Sequence, residues 1–157
     1  MKIVLNTSPI IFLGKIDALK LLSSCTDEAY TPQGVVAELH EYELPQFIQA
    51  LAVSDVGLGY VRGALGRLHQ GELEDIVLAK ELAADYVVLD DLLARRKAQN
   101  LGLQVIGTVG LLLWMEKKQQ LNAVQTWQKL QQLTELHGMY VSPSLREQLK
   151  QQLLGGH

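Results

Sequence analysis

The sequence predicts an α/β fold with a mostly parallel sheet that is covered by helices on both faces. Short apolar runs, typical of buried strands, alternate along the chain with longer segments whose apolar residues recur at helical spacing. The clearest strands are residues 3–5 and 86–89, and each is followed directly by polar residues and then a helix. This alternation favours parallel pairing, since parallel neighbours need a long crossover that is usually helical.

The remaining elements follow from the same patterns, taken in chain order. Helices are predicted from Pro9 and over residues 17–22, 32–42, 45–51, 61–68, 72–84, 92–102, 109–118, 121–136 and from 143 onwards. Further strands are predicted over residues 28–31, 104–106 and 139–141, and residues 52–56 fit either a strand or an extended connector. Gly57, Gly59 and Gly71 are interpreted as turns or breaks.

Composition indicates one globular domain over residues 1–157, with the helices of about 121–154 as part of it. The chain has 48% hydrophobic and 20% charged residues, enough apolar material for a core. A lone cysteine, Cys25, suits a reducing compartment, and charges at Lys15 and Asp17 close the first apolar run too early for a signal peptide. We therefore expect a cytoplasmic protein that does not associate with membranes. The net charge of −3 gives no global basic signal for nucleic acid.

Several common site signatures are absent from the sequence. It contains no G-x-G-x-x-G after a strand, no P-loop, no C-x-x-C, no H-E-x-x-H and no G-x-S-x-G. Its four histidines lack metal-ligand spacing. The candidate chemistry is therefore carboxylate chemistry.

Polar residues follow both of the clearest strands. Asn6, Thr7 and Ser8 come after residues 3–5, and Asp90 and Asp91 come after residues 86–89. If the two strands are neighbours in a parallel sheet, these side chains converge at the carboxyl edge, where ligands bind in open α/β sheets.

Five acidic residues lie at this edge or within reach of it, namely Glu38, Glu72, Glu74, Asp90 and Asp91. Carboxylates around one pocket repel each other unless a cation joins them, and Mg²⁺ and Mn²⁺ prefer such oxygen ligands. With a phosphodiester substrate, such ions can activate water and stabilise the leaving oxygen.

Each of these residues also has a purely structural interpretation, which the sequence leaves open. The pair Asp90-Asp91 can cap the following helix, as can Thr7 and Ser8 for the first helix. Glu72 and Glu74 are favourable near a helix N-terminus, and Glu38 can be an exposed helical residue. The basic residues Arg95, Arg96 and Lys97 begin one turn beyond the acidic pair and are either phosphate contacts or a solvated helix face.

Taken together, five stretches resemble a PIN domain. They are I-V-L-N-T-S-P-I-I-F-L-G-K-I, T-P-Q-G-V-V-A-E-L, G-E-L-E-D-I-V-L-A-K-E-L, V-V-L-D-D-L-L-A-R-R-K-A and L-G-L-Q-V-I-G-T-V-G-L-L-L. They occur in the expected order over roughly residues 1–118, and S-P-S-L near Ser142 continues the pattern. More narrowly, the chain resembles the subgroup of predicted nucleic-acid-binding proteins related to VapC-type toxins.

The resemblance implies a three-layer α/β/α sandwich whose acidic residues bind Mg²⁺ or Mn²⁺ for RNA hydrolysis. It places the acidic positions on Asn6, on Glu38, on Glu72 or Glu74, and on Asp91 with Asp90 beside it; Thr7 and Ser8 are polar neighbours of the metal. PIN nucleases usually carry Asp at the first of these positions. Asn6 brings an amide oxygen without charge, which should weaken metal binding.

Two functional hypotheses follow. The first is a metal-dependent endoribonuclease, which the resemblance to VapC-type toxins extends to the toxin of a toxin–antitoxin pair held by a small antitoxin protein. The second is a catalytically weak or silent PIN domain that binds RNA or a protein. A homodimer is also expected, because residues 111–115 (L-L-L-W-M) make the helix of residues 109–118 apolar nearly all round.

Overall fold

The computed structural model describes residues 1–39, 42–64 and 68–155. Five strands in these residues form one sheet in which every neighbouring pair is parallel. In chain order they are β1 (Lys2–Leu5), β2 (Glu28–Pro32), β3 (Ile48–Leu51), β4 (Tyr86–Val88) and β5 (Val105–Ile106). The order across the sheet is β3-β2-β1-β4-β5, so β1 is the central strand.

Helices connect these strands and extend the chain beyond them. They are α1 (Thr7–Lys15), α2 (Gln33–Glu38), α3 (Asp55–Ala64), α4 (Gln70–Glu81), α5 (Leu92–Asn100), α6 (Thr108–Lys117), α7 (Ala123–Glu135) and α8 (Pro143–Leu154). A 3-10 helix over Leu19–Ser24 follows α1.

The central strand β1 is buried on both faces of the sheet. Ile3 and Leu5 pack into a core with α1, α6, α7 and α8, whereas Val4 packs into a second core with α3, α4 and α5. Successive side chains of a strand point to opposite faces, so a strand covered on both sides is an unbroken apolar run. The predicted three-layer α/β/α sandwich with a parallel sheet is confirmed.

The C-terminal helices belong to the first of these cores. Trp127, Leu130 and Leu133 of α7 and Leu149 of α8 are buried together with Ile3 of the sheet. We propose on this basis that α7 and α8 are part of one domain with the sheet.

Residues 45–51, predicted as a helix, form a turn and a strand instead. The Ile48 N–H donates to the Pro45 carbonyl at 3.1 Å, which closes a turn. Residues 48–51 then pair with β2 as the outermost strand, in the register Ala29↔Ile48 to Pro32↔Leu51. Pairing with β2 satisfies backbone groups that a short helix would leave open, and tertiary context overrides a weak local signal.

Two further predictions of local structure are wrong. Residues 139–141 are not a strand, because the Met139 N–H donates to the Leu133 carbonyl at 3.0 Å and Gly138 adopts φ +70°, an arrangement that ends α7. Gly57 and Gly59 lie inside α3 rather than in a turn. A Cβ at Gly57 would come within 2.7 Å of Val77, so the missing side chain lets α3 approach α4 closely.

The helix α6 does not leave an apolar face uncovered, contrary to our reason for expecting a homodimer. Leu111, Leu112 and Met115 are fully buried within the chain, and the indole N–H of Trp114 donates to the Cys25 carbonyl at 2.8 Å. The prediction of an uncovered apolar face was wrong because α6 is covered on one side by the sheet and on the other by α7. None of the helices in the described part of the chain has the length and apolar composition needed to cross a membrane.

Candidate functional site

The strands β1 and β4 bring Asn6 and the Asp90-Asp91 pair to the same edge of the sheet. The two strands are neighbours in the register Ile3↔Tyr86 to Leu5↔Val88, and the Asn6 N–H continues the ladder by donating to the Val88 carbonyl at 3.2 Å. Asn6 remains extended and is 8% exposed. Because it is two residues from Val4, it faces the layer that contains α4.

Glu38 reaches this edge from the last turn of α2. Its Oε2 accepts a hydrogen bond from the Thr7 hydroxyl at 2.9 Å. A Cβ at Gly71 would come within 2.5 Å of Glu38 Oε1, so this glycine leaves room for the carboxylate. Gly71 was predicted to break the helical pattern, but it lies in the first turn of α4. Thr7 therefore does not cap α1 with its side chain; Asn6 occupies the cap position, without a side-chain cap hydrogen bond.

Glu72 lies in the first turn of α4 and is only 7% exposed. Its Oε1 accepts a hydrogen bond from the His69 N–H at 3.2 Å. Burial raises the pKa of Glu72, the hydrogen bond from His69 opposes this, and the negative charges of Asp91 and Glu38 raise the pKa further. These electrostatic effects place Glu72 in one acidic group with Glu38 and Asp91.

Glu74 has different surroundings, although it is also buried. Its Oε1 accepts a hydrogen bond from the Gln70 side chain at 3.0 Å, and its carboxylate lies against Gly34 of α2. It is not among the charges that shift Glu72. Of the two alternatives left open by the sequence, this geometry favours Glu72.

The structure adds Asp75, a residue that our reasoning from the sequence missed. Asp75 is fully buried, and neither carboxylate oxygen has a hydrogen-bond partner in the part of the chain that the structure describes. Burial, and then repulsion from Glu72 and Glu38, raise the pKa of Asp75 well above its usual range. The signal was its position four residues before Ala79, on the packing face of α4, where an acid is unusual. We call Glu38, Glu72, Asp75 and Asp91 the acidic edge.

Asp90 and Asp91 both have structural roles as well. Asp91 caps α5, its Oδ2 accepting a hydrogen bond from the Ala94 N–H at 2.9 Å, and it remains exposed. Asp90 binds Thr108 with both oxygens, at 2.8 Å to its N–H and 2.7 Å to its hydroxyl, which fixes the start of α6 to the end of β4. The capping interpretation is thus correct for Asp91, whose charge also acts on Glu72. Both carboxylate oxygens of Asp90 accept hydrogen bonds from Thr108.

One comparison with known proteins identifies the family of this chain. The family model DUF3368, described as a PIN domain, matches residues 2–154. The chain belongs to the PIN-domain family. A search of curated proteins found no match. The family match does not distinguish the VapC-related subgroup of PIN domains.

The basic residues beyond β4 do not form one patch on this PIN domain. Arg95 is half-buried, and its Nη1 donates to the Leu89 carbonyl at 3.1 Å. Lys97 lies with its ammonium 6.0 Å from the centre of the Tyr60 ring, while Arg96 is exposed. Consecutive helical residues point in directions about 100° apart, so the three cations diverge.

A PIN domain implies a bound divalent cation, and the donors of the acidic edge fit one in their chemistry. Glu72 and Asp75 are carboxyl groups on one face of α4, both removed from water, and the charge of Glu72 raises the pKa of Asp75. Buried carboxylates are costly unless a cation or hydrogen bonds compensate them, and Asp75 has no such hydrogen bonds among the described residues. Within residues 1–39, 42–64 and 68–155, no three Asp, Glu, His or Cys side chains form a ready-made metal cage. The fit therefore rests on oxygen donors and the unpartnered Asp75.

Proposed function

We propose that this PIN domain is a metal-dependent endoribonuclease. The observation that carries the proposal is the pair of buried carboxyl groups Glu72 and Asp75 beside the carboxyl edge of the sheet, of which Asp75 has no hydrogen-bond partner among the described residues. A protein rarely keeps such a pair without compensation, and a hard divalent cation supplies it.

Residues of the acidic edge would hold the ion. Glu72, Asp91 and Glu38 are the carboxylate ligands in this proposal, and the Asn6 amide oxygen is a neutral ligand. Asp75 adds a buried carboxyl beside Glu72, whose charge acts on it. When bound, a divalent ion lowers the pKa of a water molecule and stabilises negative charge on a phosphodiester oxygen. Thr7 orients Glu38 through their 2.9 Å hydrogen bond. Asp90 keeps the ends of β4 and α6 together through Thr108, so it positions the edge.

Cleavage of a mixed single-stranded RNA pool tests this proposal. We expect the wild type to cut RNA with Mg²⁺ or Mn²⁺ and to lose activity in EDTA. Glu72→Gln should lose at least about two orders of magnitude in rate, because a ligand charge is removed at the reacting centre. Gln keeps the oxygen that accepts from the His69 N–H, so the fold should be retained.

The matched control for this test is Glu147→Gln, the same change at an exposed position of α8. It should cleave like the wild type. Equal, metal-dependent cleavage by Glu72→Gln and the wild type would remove Glu72 from the site.

A second candidate function is supported by Asn6 and by the lack of a preformed three-ligand cage in the described residues. In this alternative the PIN domain is catalytically silent and acts as an RNA- or protein-binding module. RNA binding without cleavage, in the wild type and in Asn6→Asp, would favour it.

The toxin role and the partners are narrower proposals. A short neighbouring reading frame that encodes an antitoxin-like protein would support a toxin held by a small antitoxin. The homodimer now lacks the basis we gave it, because α6 is covered within the chain. A cytoplasmic location remains our proposal from the single cysteine.

A further inference from the structure

A groove adjoins the acidic edge on the side of α6 and the loop between α7 and α8. Its cavity volume is about 770 Å³, which lies within the range of small-molecule binding sites. Ser8, Asp90 and Asp91 contribute to its lining, so the groove opens onto the residues where β1 and β4 end. A molecule bound at the acidic edge can therefore extend into it.

Most of the remaining lining is apolar or aromatic. Phe12, Ile106 and Met139 form part of it, and Tyr140 and Leu92 lie at it with 83% and 59% of their surface exposed. Single exposed apolar side chains are ordinary, but several around one groove mark a binding surface.

The charges in the groove argue against a phosphate site. Asp90 and Asp91 bring two negative charges to the described lining, against one positive charge from Arg95. The groove is therefore suited to a flat, uncharged group with a face that can lie against apolar and aromatic side chains. A nucleobase is such a group, and stacking on an aromatic ring is open to every base because each has a π-face.

We propose that this groove binds an unpaired base of single-stranded RNA, next to the phosphate that the acidic edge acts on, with Tyr140 as the stacking platform. The inference rests on the proposed nuclease function, which supplies the phosphate at the edge. A base in a duplex has its faces covered by its neighbours, so only an unpaired, unstacked base can enter. The groove thereby selects single strands over duplexes.

The test uses an oligouridylate RNA that carries one 2-aminopurine, whose fluorescence is quenched by stacking. Ca²⁺ replaces Mg²⁺ in this binding assay. It also binds oxygen ligands, but it accepts a less regular coordination geometry than Mg²⁺ does. Wild type should bind the RNA and quench the probe. Tyr140→Ala should weaken binding roughly 5- to 150-fold, the scale of one base–aromatic stack. Tyr140→Phe should retain both binding and quenching.

The control variant is Leu136→Ala, which alters a side chain that is 73% exposed and lies outside the groove lining. It should bind like the wild type. Equal affinity of Tyr140→Ala and the wild type, or no RNA binding at all, would overturn the inference, as would a duplex that binds as tightly as the single strand. Loss of self-association in Tyr140→Ala with unchanged RNA affinity would overturn it too and assign the groove to a second copy.

The outcomes separate this inference from the nuclease proposal. Binding that depends on Tyr140, without any cleavage in Mg²⁺ or Mn²⁺, supports the groove and contradicts the enzyme. Metal-dependent cleavage, together with an RNA affinity that Tyr140→Ala does not change, supports the enzyme and contradicts the groove.

Discussion

Asp75→Asn should raise the melting temperature of the metal-free protein at pH 7 by roughly 2–12 °C. Asp75 is fully buried without a hydrogen-bond partner among the described residues. Asparagine is neutral without a bound proton, so it avoids the cost of a buried ionisable carboxyl at pH 7, about 1–3 kcal/mol, and each kcal/mol moves the melting temperature by about 2–4 °C at this chain length. The matched control is Asp55→Asn, an exposed residue, which should change little.

This gain should depend on pH in a defined direction. The pKa of Asp75 is raised in the folded protein by burial and by Glu72 and Glu38. The folded state therefore holds its proton to higher pH than the unfolded state, and the wild type loses stability as pH rises above the unfolded pKa. Below about pH 4, the usual range of aspartate, both states are protonated and the difference between Asp75→Asn and wild type should shrink.

The same variant should respond less to metal. If the negative charge of Asp75 helps to stabilise a cation at the acidic edge, Mn²⁺ should raise the melting temperature of the wild type more than that of Asp75→Asn. A metal-free Asp75→Asn that is less stable than the wild type at pH 7 would contradict this interpretation of the buried carboxyl.

Asn6→Asp should increase Mn²⁺-dependent cleavage of single-stranded RNA by on the order of tenfold or more, the scale on which changes around a metal alter its affinity. The substitution keeps the size of the side chain and adds a charged ligand between β1 and α4. Because Asn6 is only 8% exposed, the added charge should also lower the stability of the metal-free protein.

The dependence of that gain on the acidic edge is tested with Asn6→Asp combined with Asp91→Asn. Asparagine caps a helix about as well as aspartate, so this change keeps the start of α5 and removes only the charge. The double variant should lose the gain in cleavage. Asp91→Ala is a poorer choice, because it also removes the hydrogen bond to the Ala94 N–H. A gain that survives in the double variant would show that Asp91 does not act with position 6.

The sequence was sufficient to predict the parallel sheet and the edge where Asn6 and Asp91 meet. Both follow from β1 and β4. Each contains an unbroken apolar run, which is typical of a strand buried on both faces of a sheet, and polar residues follow each run. The strand β3 was not predictable in this way. Its local sequence after Pro45 suits a helix. It becomes a strand because it pairs with the edge of β2, which no local pattern indicates.

The details of the site depended on contacts between distant residues. Glu72 and Glu74 are equivalent by spacing, and only packing against α2 separates them. Asp90 is bound by Thr108, eighteen residues later, which no local pattern indicates. Asp75 was overlooked because helical periodicity was used to find apolar packing positions and not the acid among them.

The most direct test of a cation site at the acidic edge is calorimetric titration of the metal-free protein with Mn²⁺. We predict one binding event in the wild type, weakened at least about tenfold in Glu72→Gln, and unchanged in Glu147→Gln. Binding that is equally strong in wild type and Glu72→Gln, or no Mn²⁺ binding by the wild type, would contradict a cation site at this edge.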